Sequence, residues 1–196
     1  MKILAIETSC DETAVSIVSV SGTRDAMSFT LLGDALYSQA SKHAEFGGVY
    51  PNLAKREHQK NLVPLTIRAL TEAKLFKTHA QNSSIYGTIL ERVREEEFKK
   101  DIQTFLENTQ KPDIDLIAVT CGPGLEPALW TGVVFAEALS HAWNIPMAGI
   151  DHMEGHIVSG LVKKTADTYE MERFSFPLLG LLISGGHTEF VLMKEW

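Results

Sequence analysis

Residues 150–156 read Ile-Asp-His-Met-Glu-Gly-His and follow directly on an apolar run. On a helix, His152 and His156 lie four positions apart and share one face, so both imidazoles can reach one metal ion. A pair supplies only two ligands, and a bound metal usually takes three or more, so further donors must come from elsewhere. The bland alternative is ordinary packing of two histidines. The zinc-protease pattern places a glutamate directly after the first histidine. Here Met153 holds that place and Glu154 points to another face of the helix, so the protease geometry is missing.

Other residues could join such a centre. Asp11-Glu12 forms an acidic turn that is either a solvated hairpin tip or a site for magnesium or general-base work. Glycine-rich turns follow two apolar runs: Cys121-Gly122-Pro123-Gly124, and Ser184-Gly185-Gly186-His187-Thr188. Bare backbone N–H groups in such turns can approach a phosphate closely. Neither turn is a Walker or Rossmann motif, and each alone reads as a tight turn. Beside a histidine pair they point toward a nucleotide-like ligand, with His187 facing the same cleft.

The elements that must position these residues follow from periodicity. Apolar runs at 2–8 and 14–20 predict a hairpin, 21–30 a polar turn, 35–39 a third strand and 43–51 a loop. Helical spacing begins at Asn52, with Pro64 expected to kink or restart the helix. A second helix is expected over 85–108, its charged residues forming a solvated face. Then come a strand at 115–120, a buried helix at 126–143, a strand at 145–150, and a helix from the histidine pair to about 163. Strands at 176–184 and 188–193 repeat the opening strand-turn-strand in kind. The inferred fold class is α/β, a mixed sheet with helices on both faces, begun twice. The expected domains are 1–163 with a helical insertion at 76–110, a linker at 164–175, and the start of a second domain at 176–196.

Composition is that of an ordinary globular chain, with 44% hydrophobic and 22% charged residues. No apolar run is long enough to span a membrane. Cys10 and Cys121, far apart, argue against a disulfide framework and for a reducing cytosol. The net charge of −7 works against a dedicated nucleic-acid binder, though not against one that borrows basic surface from a partner. The basic stretch at 55–60 reads as a solvated helix face.

Taken together, IETSCDET at 6–13, HAEFGGVYPNLAKREH at 43–58, GPGL at 122–125, DHMEGH at 151–156 and LLISGGHTEF at 181–190 closely resemble one family. It is the TsaD-type tRNA N6-adenosine threonylcarbamoyltransferase family, formerly labelled O-sialoglycoprotein endopeptidase. His187 after the glycine pair is similar to its bacterial branch. The resemblance implies a duplicated actin/Hsp70/sugar-kinase-like (ASKHA, ribonuclease H-like) architecture. It also implies transfer of a threonylcarbamoyl group from threonylcarbamoyl-adenylate to N6 of the adenosine 3′ of a tRNA anticodon.

By position, His152 and His156 resemble the family's metal ligands, for iron or zinc. Leu182, Ile183, Ser184, Gly185, Gly186 and His187 resemble its adenylate-contacting segment. Asp11 and Glu12 match its catalytic acids near the phosphates, where magnesium could accompany nucleotide. The family's third protein ligand and further adenylate contacts lie in a C-terminal half, expected on another chain or beyond this sequence. The resemblance implies tRNA, the other subunits of the modification complex and an ASKHA-fold paralogue as partners. Alternatives are a non-catalytic scaffold paralogue, a metalloprotease, and a sugar or acetate kinase of the same architecture.

Overall fold

The computed structural model describes residues 1–23, 26–78, 90–165, 168–171, 174–183 and 188–195. The apolar run at the N-terminus forms β1 (Lys2–Glu7), and β2 (Glu12–Thr23) folds back on it antiparallel. Its neighbour β3 (Ala26–Ser38) starts well before the strand expected at 35–39. The residues expected to form a turn at 21–30 lie largely within this β2–β3 arm, where Ser19 pairs with Thr30 and Ser21 with Ser28. Ladder hydrogen bonds satisfy the backbone there, so serine and threonine suffice where no face is buried.

Ala40–His43 forms a single helical turn, α1, and the loop expected at 43–51 opens with a 3-10 turn at Ala44–Phe46. Helix α2 (Pro51–Glu72) then runs unbroken through Pro64. The ring removes the hydrogen bond to the carbonyl four residues back, but Pro64 is exposed, so water can reach the freed group. Of the helix expected over 85–108, Glu96–Asn108 forms α3, residues 91–95 are not helical, and 85–89 lies outside the described residues. The chain continues as β4 (Leu116–Gly122), α4 (Glu126–Trp143), β5 (Met147–Asp151) and α5 (His152–Gly160).

Residues expected to form a linker at 164–175 instead contribute to a strand pair, β6 (Val162–Thr165) and β7 (Thr168–Met171). Strand β7 adds to the free edge of β3, with the Phe29 and Tyr169 rings stacked at 5.4 Å. The result is a seven-stranded mixed sheet in the order β5-β4-β1-β2-β3-β7-β6, with β5, β4 and β1 parallel. The hairpin β8 (Leu178–Ile183) and β9 (Thr188–Met193) forms a separate antiparallel sheet. This is the mixed α/β class read from the sequence, with the ribonuclease H-like order around β1.

Alternation along the strands decides which face carries the core. Leu4, Ile6, Val15, Ile17, Ile117 and Val119 are buried against α2 and α4. Their neighbours Ala5, Glu7, Ala14, Ser16, Ala118 and Thr120 face the other way and line a shallow cavity of about 140 Å³. Helix α5 rises beside that second face, at the end where β1, β4 and β5 finish.

Gly33 is fixed by contact with α2: a Cβ there would sit 2.1 Å from the carbonyl oxygen of Ala69. Gly33→Ala should push β3 off the helix and cost about 1–3 kcal/mol, read as a lowered urea midpoint. The basic stretch at 55–60 is only partly the solvated face expected of it. Glu57 and His58 turn inward and are buried, and Lys42 and Lys60 pair with Glu57.

Candidate functional site

Asp151 ends β5 and caps α5, its carboxylate accepting from the N–H groups of Met153 at 2.8 Å and Glu154 at 3.0 Å. That cap fixes the start of the helix and so the direction of its first side chains. His152 and His156 then stand one turn apart, with their Nε2 atoms 3.0 Å apart and ring planes 79° to each other. On its other side, His152 Nδ1 lies 3.3 Å from Glu7 Oε2.

Glu7 ends β1 on the face opposite the core. The Thr120 hydroxyl donates to Glu7 Oε2 at 2.6 Å, and the Ser9 N–H donates to Oε1. Burial raises the Glu7 pKa, but these hydrogen bonds and the neighbouring His152 outweigh it, so the carboxyl sits below its ordinary value. Ser9 links three parts of the site. Its hydroxyl is 3.5 Å from His152 Nε2, and its carbonyl accepts from the Leu125 N–H at 2.8 Å. A Cβ on Gly124 would fall 2.6 Å from that carbonyl oxygen, so the glycine-rich turn after β4 lies directly on the β1–β2 turn.

The acidic turn itself is held by a buried polar network from the HAEFGGVYPNLAKREH stretch. His58 Nε2–H donates to the Cys10 carbonyl at 3.1 Å, and the Thr13 hydroxyl donates to His58 Nδ1 at 2.8 Å. The Gln39 N–H donates to the Asp11 carbonyl at 2.9 Å, and His43 Nε2–H donates to the Gln39 side-chain oxygen at 3.0 Å. Burial, followed by weaker opposing effects from the Cys10 carbonyl and nearby acids, keeps the His58 pKa below its ordinary 6.5. Burial, with the adjacent Asp11, pushes the Cys10 thiol up to about 11, so it stays protonated at neutral pH.

A histidine with a depressed folded pKa binds its proton more readily in the unfolded chain. Its contribution to stability is therefore complete above 6.5 and lost as pH falls below that value toward the folded pKa. We expect urea midpoints to decline on acidification through this window. A midpoint flat across it would count against the network.

The structure thus brings together His152, His156 and the β1–β2 turn at the ends of three parallel strands, where open α/β sheets bind ligands. Among the described residues, Asp11 and Glu12 make no hydrogen bond or ion pair with either histidine. Leu182 is half-buried and Ile183 exposed at the end of β8, while Ser184, Gly185, Gly186 and His187 lie outside the described residues. Glu7, Ser9 and Thr120 were not singled out from the sequence. Alternation along β1 sets Glu7 on the face opposite the core residue Ile6, but nothing local in the sequence pointed to a histidine 145 positions away.

The donor set fits a metal ion in part. Two imidazole nitrogens 3.0 Å apart are spaced as two ligands of one ion with bonds near 2.0–2.1 Å would be. No cluster of three or more ligating side chains forms among the described residues, so other positions would fall to water, substrate or further donors.

Solved structures similar to this chain include the following two. YeaZ from Pseudomonas aeruginosa matches at 13% identity and a TM-score of 0.43, over 99% of this chain and 66% of that one. An uncharacterized protein with similarity to peptidase YEAZ from Pseudomonas aeruginosa matches at 13% identity and a TM-score of 0.43, over 97% and 63%. The chain therefore spans just under two thirds of the length of each. The profile of TsaD, tRNA N6-adenosine threonylcarbamoyltransferase, matches residues 30–83 and 88–195, and with so much of the sequence matched the chain belongs to the TsaD family.

Proposed function

We propose that the chain contributes the metal-binding side of a threonylcarbamoyl transfer site, acting on N6 of the adenosine 3′ of a tRNA anticodon. The observation that carries this reading is the His152–His156 pair, aimed at one point at the strand ends of a TsaD-family chain. The N6 amine is a weak nucleophile, so the acyl group must arrive activated. In threonylcarbamoyl-adenylate the attacked carbonyl is joined to phosphate. Attack by N6 forms the new C–N bond, AMP leaves with the electrons of the broken C–O bond, and the proton lost from N6 passes to solvent or to the departing phosphate.

In this reading His152 and His156 hold a divalent ion, iron or zinc. Such an ion would supply Lewis-acid polarisation of the acyl oxygens. Asp11 and Glu12 orient the phosphate end of the donor, with magnesium if nucleotide requires it. The backbone of Gly122-Pro123-Gly124 and of Ser184-Gly185-Gly186 offers N–H groups to anionic oxygens. Leu182, Ile183 and His187 belong to the same adenylate-contacting segment. The β8–β9 hairpin is the first strand pair of a second domain of the same design. The acidic chain takes its tRNA with help from basic surface on other subunits of a cytoplasmic modification complex, an ASKHA-fold paralogue among them.

The test is threonylcarbamoyl transfer to unmodified tRNA by the full-length protein with its partner subunits, read by mass spectrometry of nucleosides. Modified adenosine that requires both the donor adenylate and the histidine pair is the expected result. No product with metal-loaded protein and all subunits present would overturn the reading.

A further inference from the structure

An imidazole can ligate a metal only through a nitrogen that carries no proton, and its other nitrogen's hydrogen bond decides which one that is. His152 presents Nε2 to the point shared with His156, so Nε2 must be the bare nitrogen. Its Nδ1 faces Glu7 Oε2, an ionised carboxylate oxygen that can only accept. The proton is therefore held on Nδ1, and the ring is turned so that its bare Nε2 accepts from His156 Nε2–H in the metal-free protein, a proton that a metal ion would displace.

The carboxylate is itself held in place. Thr120 and the Ser9 N–H grip its two oxygens, and the parallel register pairing Ile6 with Val119 sets Glu7 beside Thr120. His156 has no such partner for its Nδ1 among the described residues. Among the described residues, the side-chain contacts that orient the pair thus enter through His152.

We propose that Glu7 is the positioning residue of this centre, selecting the Nδ1–H tautomer of His152 and fixing its ring, with Thr120 and Ser9 as supports. The inference rests on the reading of His152 and His156 as metal ligands.

The experiment is calorimetric titration of the chelator-stripped full-length protein with Zn²⁺ alone, comparing the parent with Glu7→Gln, Thr120→Val and His152→Ala. Glu7→Gln keeps the shape and an acceptor for Thr120 but loses the charge. It should weaken binding by about tenfold to a hundredfold, the usual effect of removing such a partner. Thr120→Val should weaken it less. Nitrogen NMR of the metal-free protein supplies a readout that involves no metal: His152 should carry its proton on Nδ1 in the parent, and lose that preference in Glu7→Gln.

Zinc affinity of Glu7→Gln within about twofold of the parent, with His152→Ala losing binding, overturns the proposal and leaves the metal reading intact. Binding unchanged in His152→Ala overturns both. Should Glu7→Gln fail to fold, the parent tautomer decides, and a proton on Nε2 overturns the proposal.

Discussion

His152→Ala is expected to strip the protein of bound metal and to lower threonylcarbamoyl transfer by about a thousandfold or more. The substitution removes one of two imidazoles whose Nε2 atoms lie 3.0 Å apart, and a lone His156 cannot hold an ion in their place. Metal catalysis of acyl chemistry is worth several kcal/mol, and each 1.36 kcal/mol is tenfold in rate, hence the magnitude. Folding should survive. The His152 side chain is a quarter exposed, alanine favours helix, and the Asp151 cap remains. Glu7 keeps its bonds to Thr120 and Ser9. Metal analysis and nucleoside mass spectrometry on one preparation check both halves of the expectation. Undiminished transfer by a metal-free variant would remove the ion from the chemistry.

The largest loss of stability is expected at Phe135. Its ring is fully buried in the middle of α4 and packs against Phe98 of α3, with centroids 6.2 Å apart. It thereby joins the helix over the sheet to the outer helix. Truncation to alanine removes the apolar surface and leaves a cavity that neighbours on two helices cannot fill together. About 3–5 kcal/mol is the usual cost. Against a total of roughly 5–15 kcal/mol this is severe, and for a chain of this size it lowers Tm by about 6–20 °C. Calorimetry of Phe135→Ala checks it. A shift of less than about 3 °C would mean that α3 is not docked as described.

What could be read from the sequence followed from how locally each feature was encoded. Helix α4 and strand β9 lie where they were expected, because unbroken patterns bounded by glycine or proline leave little choice. The histidine pair was visible because an i,i+4 spacing on a helix is itself a geometry. The β6–β7 pair was missed because VKKT and TYEM are short and polar, and only the free edge of β3 makes them strands. The length of β3 was missed for the same reason. Pro64 misled because its cost depends on exposure, which the sequence does not state. His58 shares the helical spacing of Ala54 and Leu62 and is buried as that spacing implies, whereas Glu57 was hidden in a run of charges and its inward turn is revealed only by Lys42 and Tyr37. Glu7, Thr120 and His152 meet through strand register, and no window of sequence contains all three.

The placement of His152 at the very first position of α5 has an electrostatic consequence. Aligned peptide dipoles leave a helix about half a positive charge at that end, which opposes any cation brought there. Two carboxylates answer it: Asp151 through its cap to the Met153 and Glu154 N–H groups, and Glu7 through its contact with the ring. If the pair holds an ion as proposed, removing either carboxylate would leave the repulsion less balanced, so its retention should be more sensitive to salt than that of two imidazoles alone. An incoming anionic ligand experiences the opposite bias, drawn by the same end of the helix that resists the ion.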